Sequence, residues 1–404
     1  MKQVLNFNKK FNKLIFFLII THSRFIIADI FNYFPELQNN LERIQFCDLP
    51  TPIIKLESFG DFVGYKNIFM KADSLTGKKI DNGKEINNSI ECLYGGNKPR
   101  KLEFLLADAK KMGKETIITY GCAGSNHALA TAVYAKELGF KRCILMLKNQ
   151  PNSPVVRHNL MLDCYCGAEL QFYPDNKTRR LAAEQMMRND PSIYFIPTGG
   201  SNAIGAIGFV NAAFELKEQI KHGCMCVPDL IYIPIGSCGT VAGLLLGFQV
   251  LGLESKIVAV AVEPEEIESE FYINTKKIFT RTNALLHSLD PSFKIYEFPE
   301  DKFIINKKFT GAEYGLFTPE AAQAIRLFKS TENIKLEGTY SAKPISAIMD
   351  DLTNGFIKNE TVLFWNTYCG IDYSDLTKLV DYKSMPIAFQ RYFEEDIQPL
   401  SKID

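Results

Sequence analysis

Residues able to do chemistry are concentrated in a few short glycine-rich stretches, and the first is LYGGNKPRKLEFLLADAKK, Leu93 to Lys111. Leu102, Leu105, Leu106 and Ala109 recur at helical spacing, so an amphipathic helix is predicted from about Arg100. Lys98 stands just ahead of it, after two glycines and an asparagine and before a proline. A helix start disfavours positive charge because the macrodipole is positive there. A flexible, hydrated ammonium in that turn therefore suggests an amine that does not stay a free cation.

Three further glycine turns follow predicted strands. In GCAGSNHALA (Gly121 to Ala130), Ser125 is a natural N-cap, with Asn126 and His127 in the first helical turn. Bland capping explains Ser125; the same helix start could also receive a carboxylate, which makes Ser125, Asn126 and His127 candidate substrate-binding residues. PTGGSNAIGAIGF (Pro197 to Phe209) has the same style. In PIGSCGTVAGLL, a buried strand ends at Gly236, and Ser237, Cys238, Gly239 and Thr240 lead into an apolar helix. Such a turn can serve packing alone, or its N–H groups and hydroxyls can cradle an anion. It lacks the Gly-Lys-Ser/Thr of a nucleotide loop and the Gly-x-Gly-x-x-Gly of a dinucleotide fold, which sets aside an NAD-dependent dehydrogenase. Later, GAEYGLFT and LEGTYSAKP present Tyr314, Tyr340 and Ser341. Tyrosines in such loops act as proton donors or as amphipathic rim residues.

The elements that must position these residues alternate. ETIITYG, RCILMLK, LQFYP and YFIP read as strands separated by helical stretches, and DLIYIPIG, KIVAVAVEP and TVLFWNTY continue the pattern. Continuous apolar strands between helices indicate parallel sheets covered on both faces. The expected fold is α/β, with two open twisted parallel-sheet domains and a cleft between them where strand ends converge. Residues 29–100 and 197–375 would form the larger domain, 101–196 the smaller, and 376–404 a partly helical tail. KKIDNGKEINNSIE (Lys78 to Glu91) is expected to be a polar surface loop.

Bulk properties agree. A chain of 404 residues with 46% hydrophobic and 23% charged residues suits a soluble globular enzyme. A net charge of +0 and the lack of any RNA- or DNA-binding signature argue against a nucleic-acid partner. The ten cysteines are scattered, and the histidines (His22, His127, His158, His222, His287) do not cluster at ligand spacing. No metal site is therefore expected, and reduced thiols point to a cytoplasmic location. Against that, Lys2, Lys9, Lys10 and Lys13 followed by LIFFLII (Leu14 to Ile20) resemble a weak export signal or anchor. That run is too short for a stable membrane span, so residues 1–28 are set apart as a signal-like or disordered segment.

Taken together, YGGNKPRKLEFLLADA, GCAGSNHALATAVYAKELG, TGGSNAIGAIGF, IPIGSCGTVAGL, GAEYGLFT and LEGTYSAK resemble the 1-aminocyclopropane-1-carboxylate deaminase and D-cysteine desulfhydrase family over about residues 30–375. These are pyridoxal 5'-phosphate enzymes of the tryptophan synthase β-like fold, fold type II. The resemblance implies Lys98 as the Schiff-base lysine and Asn126 as partner of the cofactor's ring hydroxyl. It implies residues 236–240 as the phosphate loop, with Cys238 where glycine is more usual. Ser125 matches a substrate-facing serine, and Tyr314 and Tyr340 match two active-site tyrosines. Ser341 falls where the deaminase branch carries a glutamate facing the pyridine nitrogen. A hydroxyl there favours α,β-elimination of the desulfhydrase kind over cyclopropane ring opening. The family also implies a homodimer acting on a small amino acid. The alternatives are the deaminase itself and a catalytically weak amino-acid-binding protein.

Overall fold

The computed structural model describes residues 29–77, 94–265 and 269–403; the calls on residues 1–28 and on the Lys78 to Glu91 loop lie outside them. Ten strands occur among these residues: β1 (Ile53–Lys55), β2 (Ile68–Ala72), β3 (Thr116–Cys122), β4 (Arg142–Lys148), β5 (Glu169–Phe172), β6 (Ile193–Ile196), β7 (Leu230–Ile235), β8 (Lys256–Ala261), β9 (Phe303–Asn306) and β10 (Val362–Asn366). They form a six-stranded sheet ordered β1-β2-β10-β7-β8-β9 and a four-stranded sheet ordered β5-β4-β3-β6. Pairing is parallel throughout, except that β1 runs antiparallel to β2. All six residues of β7 and all five of β10 are buried, as central strands covered on both faces require.

The longer helices are α1 (Lys98–Lys111), α2 (Asn126–Glu137), α3 (Pro154–Tyr165), α4 (Asn176–Asn189), α5 (Ala203–Lys221), α6 (Gly239–Leu251), α7 (Glu270–Leu289), α8 (Pro319–Glu332), α9 (Ala342–Thr353) and α10 (Ile387–Glu394). Helix α1 begins at Lys98, two residues before the expected start, because Pro99 suits the first turn. It ends on Lys110 and Lys111, where the dipole welcomes cations. Its Leu102, Leu105, Leu106 and Ala109 pack into the core around the four-stranded sheet, while Phe104 joins the core of the six-stranded one. The helix thus straddles the two cores, with its start in the cleft between them.

Pro234 shapes that cleft. It has no N–H to give a ladder, and β7 pairs with β10 only through Leu230–Tyr232, whereas β10 stays with β2 as far as Asn366. The sheet opens where the cavity begins, and Pro234 lines it. Behind the lysine turn lies a buried charge network. Arg100 Nε and Nη2 donate to Asp73 at 2.9 and 2.7 Å, and Nη1 and Nη2 donate to Glu215 at 2.9 and 3.0 Å. Lys71 also pairs with Glu215, and Trp365 Nε1 donates to Asp73 at 2.8 Å. Two buried cations face two buried anions, the condition under which buried charge is tolerated. Tail residues Met385, Phe389 and Tyr392 pack into the core of the four-stranded sheet. No helix of the described residues is long and apolar enough to cross a membrane, and they hold no candidate metal cluster. The nine described cysteines are all unpaired.

Candidate active site

One cavity of about 1010 Å³ lies between the sheets, lined by the start of α1, the C-terminal ends of β3, β4 and β7, and the turns that follow them. Lys98 enters it and donates from Nζ to Asn97 Oδ1 at 2.8 Å. Asn97 in turn donates from Nδ2 to Thr240 Oγ1 at 3.0 Å, so one asparagine joins the amine to the 236–240 turn. Burial pushes the Lys98 ammonium down to about 8, partly offset by the negative charge of Glu337. That places it within reach of its neutral, nucleophilic form.

The 236–240 turn is built against the turn at 199–201. Ser201 Oγ donates to Ser237 Oγ at 2.8 Å and accepts from Gly239 N at 3.2 Å. Such contact needs glycines: a Cβ on Gly199 would stand 2.0 Å from Ser237 Oγ, and one on Gly239 would stand 2.6 Å from Ser201 Oγ. Cys238 holds a left-handed backbone at φ 67° as the N-cap of α6, a conformation that usually selects glycine. Its thiol is buried, 3.7 Å from the Phe271 carbonyl oxygen, and burial pushes it up to about 12.

Sequence reasoning missed a second amine here. Lys101, one helical turn after Lys98, donates to the Gly199 carbonyl and to Ser201 Oγ, both at 3.1 Å. Burial, and then the neighbouring charge of Lys98, lower its pKa well below that of an ordinary lysine. The i,i+3 spacing was the signal that could have found it. Asn97, Ser201 and Thr367 line the cavity, and the sequence motifs gave them no role.

Across the cavity, Ser125 caps α2 by accepting from Ala128 N at 3.2 Å, leaving its own proton for a ligand. Asn126 Oδ1 accepts from Tyr94 Oη at 3.0 Å and from Asn159 Nδ2 at 2.9 Å. Its Nδ2 is therefore the end that can donate to a ring hydroxyl. His127 also lines the cavity. Its ring lies 3.0 Å from Thr119 Oγ1 and close to the 199–201 turn. Burial, then the charges of Lys98 and Lys101, hold its pKa well below the ordinary value, so the imidazole is neutral.

Tyr314 and Tyr340 meet: their hydroxyls lie 2.8 Å apart, and Lys98 Nζ is 5.7 Å from the Tyr340 ring centroid. Burial pushes both phenols above the ordinary range. Ser341 does not join them on the cavity wall. It is fully buried, and its hydroxyl accepts from Glu337 N at 2.9 Å, because it sits in the turn that opens α9. The expectation that Ser341 faces the cofactor ring is corrected accordingly. The Glu337 carboxylate is turned into the same loop, accepting from the backbone N–H groups of Thr339, Tyr340 and Ser341.

The donor set fits pyridoxal 5'-phosphate. Two buried lysine amines have only neutral oxygens as hydrogen-bond partners, beside a helix start whose hydroxyls line the same cavity; a phosphate would complete that arrangement. Lys98, Asn126 and the 236–240 turn with Lys101 and Ser201 would hold the aldehyde, the ring hydroxyl and the phosphate.

Comparison with known proteins agrees. The model of the family described as "Pyridoxal-phosphate dependent enzyme" matches residues 84–367. A solved structure of an ACC deaminase homologue is 30% identical with a TM-score of 0.68, over 87% of this chain and 99% of that one. Threonine deaminase isoform 2 from Solanum lycopersicum (14% identical, TM-score 0.55, 87% of each chain) shares the fold. So does an L-serine ammonia-lyase from Rhizomucor miehei (17% identical, TM-score 0.55, 83% of this chain and 98% of that one). With the amine, its asparagine bridge and the 236–240 turn joined in one cavity, and a family match over most of its length, this chain belongs to the pyridoxal-phosphate dependent enzymes of the tryptophan synthase β-like fold.

Proposed function

We propose that the protein is a lyase that eliminates a β-substituent from a small amino acid, with D-cysteine the leading substrate and pyruvate, ammonia and sulfide the products. The observation that carries this reading is position 341. The chain offers no carboxylate there, and the hydroxyl it does offer is committed to Glu337 N. Elimination from an acidic Cα–H makes less demand on a protonated ring nitrogen than cyclopropane opening does.

When bound, pyridoxal phosphate supplies a carbonyl that condenses with amines and an electron sink next to the substrate α-carbon. The protein's own groups do the rest. Lys98 Nζ, kept near neutrality by burial, accepts the α-proton. The Ser125 hydroxyl and the N–H groups at the start of α2 bind the carboxylate. The tyrosine pair carries two phenolic protons and uses one in its mutual hydrogen bond, so one remains to donate. Both phenols stay protonated at neutral pH, so the pair can hold the departing sulfide through a donated hydrogen bond.

Ring opening of 1-aminocyclopropane-1-carboxylate is the second reading, favoured by the 30% identity to the ACC deaminase homologue. The test is keto-acid release by purified protein from D-cysteine, L-cysteine, D-serine and 1-aminocyclopropane-1-carboxylate. Pyruvate and sulfide from D-cysteine support elimination, while 2-oxobutanoate from the cyclopropane alone supports the deaminase. Inertness to all four, in yellow protein, supports the binding-protein reading.

A further inference from the structure

Ser125 and Tyr314 face one cavity but follow strands of different sheets, and the Tyr314 turn packs at Gly315 against Gln150 and Pro151. A segment beyond the family match adds hydrogen bonds to both walls. In α10, the fully packed Tyr392 accepts from Gln150 N at 3.1 Å through its hydroxyl. Its carbonyl oxygen accepts from Arg157 Nε at 2.7 Å and from Asn152 Nδ2 at 2.8 Å. Gln150 Oε1 accepts from Gly124 N at 2.9 Å, directly before Ser125. Farther along, Gln398 N donates to the Asn152 carbonyl oxygen at 2.9 Å. The Gln398 side chain reaches the opposite wall: Oε1 accepts from Phe317 N at 2.7 Å, and Nε2 donates to the Gly315 carbonyl oxygen at 2.9 Å. Those two bonds clasp the turn that carries Tyr314. The Phe317 ring also packs against Gly338, two residues before Tyr340.

We propose that the segment from Ile387 to Ser401 is a strap across the cleft, and that Gln398 is a positioning residue that sets Tyr314 against the Ser125 side. Only a primary amide gives one acceptor and one donor at the spacing of Phe317 N and Gly315 O. A loss of about 1 Å in placement is enough to cost up to a hundredfold in rate. The kinetic part rests on the elimination reading; the structural part does not.

The experiment uses full-length, cofactor-loaded protein, with Gln398→Ala, Gln398→Glu, Tyr314→Phe and the Gln398→Ala/Tyr314→Phe double variant. Amide hydrogen exchange in the 309–318 segment should quicken roughly tenfold or more in Gln398→Ala, with the strands of both sheets unchanged. With D-cysteine, kcat should fall roughly tenfold to a hundredfold at little change in KM. Gln398→Glu, which keeps the acceptor and loses the donor, should fall between. Gln398→Ala should cost nothing further once Tyr314 is Phe, since its effect passes through that phenol. Unchanged exchange in 309–318 overturns the strap, and additive kinetic losses overturn the role of Tyr314. If wild type leaves D-cysteine intact, the elimination reading fails, while the exchange result still decides the strap.

Discussion

Removing Arg100 should destabilise the protein in a pH-dependent way. The guanidinium is 1% exposed and makes its bonds to Asp73 and Glu215, themselves 0% and 2% exposed. Arg100→Met keeps much of the volume and leaves Lys71 alone against two carboxylates. Breaking a buried pair in this way costs about 3–5 kcal/mol. Proton uptake sets the ceiling: neutralising a carboxyl with an ordinary pKa of about 4 costs about 4 kcal/mol at pH 7 and about 2 kcal/mol at pH 5.5. In the wild type, burial alone would raise Glu215, but Arg100 and Lys71 hold it well below the usual carboxylate range. Its contribution is present above the unfolded pKa and is lost only as pH falls through the depressed folded value, so it is intact at both pH 7 and pH 5.5. The variant's folded state binds the extra proton, so its deficit should narrow by about 2 kcal/mol between those pH values. Urea unfolding of the cofactor-free protein at both pH values measures this. A deficit below about 1 kcal/mol at pH 7, or one that does not narrow at pH 5.5, would refute the claim that this network is charged and tightly coupled.

Lys98→Ala should abolish both the visible absorbance of the lysine-bound cofactor and turnover, while the protein still unfolds cooperatively. In the cofactor-free protein, reductive methylation of Lys98 should reach half its maximal rate near pH 8, the value to which burial lowers it, whereas exposed lysines require about pH 10. Gly199→Ala, which drives a Cβ to 2.0 Å from Ser237 Oγ at φ 65°, should weaken cofactor binding at least tenfold, read by absorbance titration. Tyr314→Phe should leave cofactor affinity unchanged and lower kcat roughly 10²–10⁴-fold, the range for loss of a proton donor.

The parts of this site that could be read in the sequence are those made by local chemistry. Strand-glycine-helix turns place Ser125 and residues 236–240 at helix starts whatever the rest of the chain does, and the apolar spacing after Lys98 is helical on its face. The strands β1, β2 and β9 were not read from the sequence. Arg100 read as one more charge in a helix, since its partners Asp73 and Glu215 lie 27 and 115 residues away. Gln398 was invisible for the same reason: its clasp on Gly315 spans 83 residues. Ser341 shows the opposite error. Its position matched a ring-facing residue, but a serine is short enough to turn back onto Glu337 N, where a glutamate would reach outward.

Two thiols border the cavity, Cys122 and Cys238, and burial pushes them up to about 11 and about 12. At neutral pH such groups are almost wholly undissociated, with a reactive fraction on the order of one in ten thousand or less. On the elimination reading, the chamber that liberates hydrosulfide is walled by thiols too little dissociated to attack the disulfides of oxidised small thiols. The left-handed bend at Cys238 gives the 236–240 turn its shape and turns the sulfur inward toward Phe271, so chemical durability comes with the same backbone geometry.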